Sequence, residues 1–235
     1  MTEQTIAKSI KQIQIRISKA ALNNNRSVDS ICLIAVSKKF SIYAIREAYQ
    51  AGCKNFGENY AQEFKEKVEQ LNNEELIWHF IGPLQSNKTG IVAKYATWVH
   101  SVDRIKIAKR LSDQRPAAMP PLNVCLQVNI SAEATKSGCH PINLPSLAKS
   151  VADLPHLRLR GLMGIPSQLA KQNELARQFE HLQNLYHQLC QAGFSLDTLS
   201  MGMSNDLEIA IAKGATHVRI GTAIFGERSY EYKKD

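Results

Sequence analysis

Two cations in this chain stand inside apolar runs. Lys38 closes ICLIAVSK (31–38), and Arg219 sits within HVRIGTAIFG (217–226). A lysine held among apolar groups or other cations sheds its proton and becomes a nucleophile for an aldehyde. Its other fate is to reach solvent along its aliphatic stem. Lys39 follows directly, and neighbours on a strand point to opposite faces, so alternation alone leaves open which lysine faces a pocket. Arg219 cannot discard its charge. Pointing inward, it must find an anion, neutral acceptors or an internal ion pair, with Asp103 as one choice. GMSND (202–206) and Gly221-Thr222 offer a third chemistry, the gripping of a phosphate. Gly202 and Gly221 let backbone approach closely, and the Ser204 and Thr222 hydroxyls add donors. Ser204 also precedes Asp206 and Glu208, so a helix N-cap is its other reading. His79, between Trp78 and Phe80, reads as a hydrogen-bonded core residue, and Met201 and Met203 as lining or core.

The elements that must position these residues alternate. Ile6, Ile10, Ile13 and Ile17 mark one face of an opening helix that ends near Asn23 to Asn25. Eight strand candidates follow, at 31–38, 55–59, 77–82, 97–103, 123–130, 157–165, 198–203 and 217–226. Helical stretches separate them. Such alternation means βαβ units and a parallel sheet, and eight repeats predict a closed (β/α)8 barrel of the TIM type with an extra N-terminal helix. A doubly wound open sheet is the rival, but no strand leads into G-x-G-x-x-G or a P-loop. In a barrel the strand ends form one mouth. Going round, that mouth carries Lys38, Asn59, His79, Ser101 with Asp103, Asn129, Met163, Ser200 with Ser204, and Arg219. The loops after strands seven and eight are where barrels commonly hold a phosphate.

The 235 residues carry 29 Lys and Arg against 21 Asp and Glu, a formal charge of +8. That balance permits a phosphorylated ligand, nucleic acid or anionic lipid without choosing among them. The basic residues are spread without aromatic interleaving, which argues against nucleic acid. Five cysteines are scattered too widely for C-x-x-C or zinc spacing, as expected of free thiols in a reducing compartment. The N-terminus lacks an apolar signal core, and no run suits a membrane span. The expectation is a cytoplasmic protein without membrane or metal.

AVSK (35–38), FGENY-x-QE (56–63), WHFIGPLQSNK (78–88), SVDR (101–104), KSG (136–138), RGLMGIP (160–166), LSMGMSND (199–206) and VRIGTAIFG (218–226) together resemble the pyridoxal phosphate homeostasis protein family. The matches run from the first strand to the eighth. The resemblance implies one domain over 1–235, a barrel related to the N-terminal domain of alanine racemase, with residues 1–25 as a helix packed on it. It implies pyridoxal 5′-phosphate (PLP) held as an aldimine by Lys38. Arg219 matches the arginine facing the pyridine nitrogen. Ser204, Gly221 and Thr222 fall in the segments holding the phosphate. Asn59 matches a residue lining the ring, with Met163 and Ser200 as further lining.

An arginine against the pyridine nitrogen keeps it unprotonated and the ring a weaker electron sink than a carboxylate would. Racemases of this architecture also need a second acid/base, a tyrosine from another domain. The chain ends nine residues after Gly226, and nothing places Tyr60, Tyr230 or Tyr232 over the cofactor. The expectation is therefore a monomeric PLP carrier without catalytic residues, supplying PLP-dependent apo-enzymes. The alternative is a PLP-dependent amino-acid racemase or related enzyme of low activity. Lys136, Lys233 and Lys234 could take part in transfer, or simply form a solvated basic surface.

Overall fold

The computed structural model describes residues 5–72, 75–131, 133, 136–167 and 169–227. α1 (Ile6–Asn23) starts at Thr5, whose hydroxyl accepts the Lys8 N–H. Ile10, Ile13 and Ile17 are buried, as their spacing requires. The chain then alternates through β1 (Cys32–Val36), α2 (Ile42–Gln50), β2 (Asn55–Glu58), α3 (Ala61–Gln70), β3 (Ile77–Phe80), α4 (Thr89–Tyr95) and β4 (Trp98–Val102). It continues through α5 (Ile105–Asp113), β5 (Leu122–Val128), α6 (Leu144–Ala152), β6 (Leu157–Gly164), α7 (Gln172–Gln191), β7 (Thr198–Ser200), α8 (Leu207–Ala212), β8 (His217–Ile220) and α9 (Thr222–Phe225).

Neighbouring strands pair in chain order, all parallel, and β8 closes on β1. This is the TIM-type (β/α)8 barrel that the alternation predicts. α1 is the additional helix, packed against α2, α8 and α9. Among the described residues no helix is long and apolar enough to cross a membrane.

Each strand is somewhat shorter than the sequence suggests, and in three of them the difference bears on the site. β1 stops at Val36, so Lys38 and Lys39 lie on a turn and strand alternation never reaches them. β7 stops at Ser200, because Gly202 takes φ +95 and turns the chain. The run 217–226 is a short strand, then a turn at Gly221, then α9. A short apolar run such as Ala223-Ile224-Phe225 fits strand or helix equally, and periodicity does not separate them.

The barrel has two unlike interiors. Outside the strands the core is apolar and aromatic: Trp78 and Phe80 of β3 meet Phe64 of α3 at centroid distances of 5.8 and 6.0 Å. Inside, where branched aliphatic side chains usually fill such barrels, the rings of His79, Trp98, His100 and His217 crowd together with centroids 5.1–6.2 Å apart. All five cysteines are free thiols. Burial pushes the Cys32 thiol up to about 12 and that of Cys53 up to about 11, so neither is a ready nucleophile.

Candidate functional site

Lys38 rides on a tight turn, Ser37 to Phe40, closed by the Phe40 N–H donating to Ser37 O at 3.0 Å. Lys39 takes φ 65, a left-handed conformation uncommon outside glycine. A buried cluster holds this turn. The Lys67 ammonium donates to Ser37 O, Glu58 Oε1 and Glu63 Oε1, each at 2.7 Å, which uses all three of its protons. Ser37 Oγ donates to Glu58 Oε1 at 2.6 Å, and the Lys39 N–H donates to Glu63. One cation thus lies between two carboxylates. Burial outweighs Lys67 and raises the Glu58 carboxyl to about 7.

A cavity of about 610 Å³ opens at the C-terminal ends of the strands. Lys38, Asn59, Ser204, Arg219, Gly221 and Thr222 all line it, with apolar walls that include Phe40, Ile81, Ile165 and Leu175. Met163 is instead packed inside the barrel against Trp98 and Cys125. Ser200 is fully buried behind Arg219. Ser101, Asp103 and Asn129 are not among the lining residues. Asp103 pairs with Arg104 at 2.6 Å, and Asn129 donates to Glu133 O at 2.8 Å. Lys136 is half-buried. Tyr60 is half exposed, and the Lys39 ammonium lies 5.9 Å from the centre of its ring. Tyr230, Tyr232, Lys233 and Lys234 lie outside the described residues.

Arg219 points into the barrel, as its alternation with Val218 and Ile220 suggests. Its partner is not Asp103. Nη1 donates to Ser200 Oγ at 2.8 Å and Nη2 to Gly164 O at 3.0 Å. Among the described residues no carboxylate lies within 4 Å of it. Desolvation lowers its pKa to about 10, with Asp206 opposing, so it remains a cation at neutral pH. Two acceptors leave further N–H groups of a buried guanidinium available to an acceptor in the cavity. Asn59 Oδ1 is buried without a hydrogen-bond partner, a second polar group suited to a ligand. A ring with an acceptor nitrogen, an aldehyde near Lys38 and an anionic tail toward Ser204 and Thr222 fits this set of polar groups.

The loop after β7 departs from the cap reading of Ser204 and from the reason expected for Gly202. The N-cap of α8 is Asp206, not Ser204, so the Ser204 hydroxyl is not committed to capping. Gly202 is required by its positive φ and because a Cβ there would sit 2.6 Å from that of Ala210. Its close approach is therefore to α8, not to a ligand. A Cβ at Gly221 would meet Val36 O at an ordinary 3.4 Å. The N-terminal helix reaches this loop: Arg16 donates to Ser204 O at 2.9 Å and grips Glu208 with two bonds of 2.7 and 2.9 Å.

Sequence reasoning missed Glu58, Glu63 and Lys67, and it missed His100. For His100 a signal existed. It shares strand alternation with Trp98, as His79 does with the lumen-facing residues of β3. The Glu58–Lys67–Glu63 cluster carried a weaker one, the i, i+4 spacing of Glu63 and Lys67 on α3.

Residues 17–229 match the family model described as alanine racemase, N-terminal domain. A pyridoxal phosphate homeostasis protein of Pseudomonas aeruginosa is 55% identical over 226 residues, covering 96% of this chain and 97% of that protein. One from Escherichia coli K12 is 51% identical over 236 residues, covering 97% and 99%. Among solved structures, PipY of Synechococcus elongatus with PLP bound has a TM-score of 0.83 at 34% identity, over 94% of this chain and all of that one.

Proposed function

The chain belongs to the pyridoxal phosphate homeostasis protein family, built on the alanine racemase N-terminal domain, and we propose that its barrel mouth stores PLP as a covalent imine with Lys38. It binds PLP and serves in the homeostasis of that cofactor. The supporting observation is the meeting of Lys38 and a buried, carboxylate-free Arg219 on one cavity. The unprotonated ε-amino nitrogen attacks the aldehyde carbon, and water leaves as the C=N bond forms. Arg219 donates to the pyridine nitrogen, Asn59 lines the ring, and Ser204, Gly221 and Thr222 hold the phosphate. Met163 and Ser200 back this arrangement from within the barrel.

Storage rather than turnover rests on two features together: the donor at the pyridine nitrogen, and a cavity lining that, among the described residues, holds no tyrosine to serve as a second acid/base opposite Lys38. A guanidinium only donates, so the ring nitrogen stays unprotonated, and a carbanion on the cofactor gains little stabilisation. PLP-dependent apo-enzymes are the proposed recipients. The cytoplasm is the proposed compartment, where five unpaired thiols stay reduced. The chain acts as a monomer in this reading.

The test is an absorbance spectrum of the PLP-loaded protein before and after borohydride, with the modified peptide mapped. A visible band that disappears on reduction, and a stable adduct at Lys38, is the expected outcome. An adduct confined to Lys136 or the C-terminal lysines, or no band at all, refutes the assignment. The N-terminal helix supplies a second test. Arg16→Ala removes the clamp on Ser204 and Glu208, two partly exposed contacts together contributing about 1 kcal/mol. PLP affinity in a titration should fall about fivefold, with the Lys38 adduct still formed.

A further inference from the structure

Five polar groups form one hydrogen-bonded chain through the barrel interior. Asn55 Oδ1 meets His79 Nε2 at 2.9 Å, His79 Nδ1 meets His100 Nε2 at 2.9 Å, and His100 Nδ1 meets Ser200 Oγ at 2.8 Å. Arg219 Nη1 then donates to Ser200 Oγ at 2.8 Å. Both imidazoles are fully buried.

The end at Arg219 sets the direction of every proton. A guanidinium only donates, so Ser200 Oγ accepts from it. Ser200 Oγ has only Arg219 and His100 as partners among the described residues. Its own proton therefore goes to His100 Nδ1, since a buried hydroxyl proton without an acceptor is costly. His100 must then carry its proton on Nε2 and donate to His79 Nδ1. His79 in turn carries its proton on Nε2 and donates to Asn55 Oδ1. No donor faces a donor anywhere along the chain. Both imidazoles are neutral in this order, which spares the interior a second cation beside Arg219. Desolvation by burial, with the Arg219 cation nearby adding to it, also holds His100 well below the usual imidazole range.

A polar row of this kind is an expensive way to fill a barrel. Trp98, Met163 and Cys125 fill the same interior with apolar contact, and packing alone gives no reason for two histidines and a serine beside them. We infer that His79 and His100 are positioning residues for Arg219: by accepting the Ser200 proton they leave Ser200 Oγ an acceptor, and so hold the guanidinium aimed at the ring in the cavity. The inference rests on the assignment of Arg219 to the pyridine nitrogen. It adds that the neutral Nε2–H forms of two residues remote from the cavity lining control the pyridine partner.

Two substitutions at position 100 separate positioning from packing. His100→Phe keeps an aromatic ring, a little larger than imidazole, and removes both hydrogen bonds. His100→Asn loses volume, but its Oδ1 can stand where Nδ1 stood and still accept from Ser200. A purely structural role ranks Phe above Asn in both stability and PLP binding. Positioning ranks them oppositely in binding. His100→Phe should bind PLP about tenfold more weakly, as expected for a lost oriented hydrogen bond, and should shift the pH profile of the visible band. His100→Asn should lose less than about threefold and keep the wild-type profile. Affinity losses that simply follow stability losses would overturn the inference. Should His100→Phe not fold, nitrogen NMR of the wild-type histidines decides the matter without any variant. Nε2–H forms at both His79 and His100 support the chain, and an Nδ1–H form at His100 overturns it. Failure of the wild-type protein to bind PLP would instead sink the storage reading, leaving the NMR result to stand separately.

Discussion

Lys38→Ala should abolish the visible absorbance of the PLP-loaded protein and the borohydride-stable adduct, while leaving weak, reversible binding. An imine requires a primary amine, and alanine supplies none. Arg219, Ser204, Thr222 and Asn59 still line the cavity, so in the proposed arrangement the ring and phosphate would keep their noncovalent partners. Loss of the covalent link should weaken retention by at least about a hundredfold, equivalent to about 2.8 kcal/mol. Lys38→Arg makes the comparison sharper. It keeps a cation at the rim, but a guanidinium stays protonated and does not condense with aldehydes at neutral pH. If electrostatic attraction to the phosphate were all that Lys38 contributed, the arginine variant would retain PLP and the alanine variant would not. The imine assignment requires both to lose the band. A wild-type spectrum in either variant would move the linkage to another lysine, and the mapped peptide would say which. Solvent deuterium entering the α-carbon of amino acids at enzyme-like rates would favour the racemase reading over storage.

The barrel was legible because its signal is repetitive. Eight apolar runs separated by helical spacing restrict the topology, and a one-residue error at any boundary leaves the order of elements intact. The mouth was legible for a related reason: strand ends in a barrel converge, whatever the side chains. Arg219 could be aimed from alternation alone, since Val218 and Ile220 belong outside. Its partners could not. Ser200 and the carbonyl of Gly164 reach it from the neighbouring β7 and the end of β6, and such contacts depend on register around a closed sheet. Lys38 was harder, because β1 ends two residues before it. Its direction is set by the turn and by Lys67 on α3, which bonds Ser37 O, not by the pleat. For the Ser204 loop the sequence left a phosphate grip and a helix cap side by side, and it could not show the contact from Arg16 on the opening helix, nearly two hundred positions away.

Lys67→Met should be the most destabilising single change near the site, by about 3–5 kcal/mol, because it strips the cation from a buried pair and leaves Glu58 without a counter-charge. The Lys67 and Glu58 side chains are 6% and 0% exposed, so solvent cannot take over. The deficit should depend on pH with a definite sign. In the wild-type protein burial already raises the Glu58 carboxyl from 4.5 to about 7, and losing Lys67 raises it further. Across that window the native state holds a proton that the unfolded chain has released, so stability falls as pH rises. Below about 4.5 both states are protonated and the contribution is flat. Urea midpoints should therefore lie closer to wild type at pH 5 than at pH 8. Adding Glu58→Gln should recover stability at pH 8 and little at pH 5, since it removes the buried carboxylate rather than restoring the cation. A deficit equal at both pH values would mean that Lys67 acts through its packing and its bond to Ser37 O, not through charge. Because that bond also steadies the turn carrying Lys38, the double variant should stay slower than wild type to form the borohydride-trapped adduct even where its stability has returned.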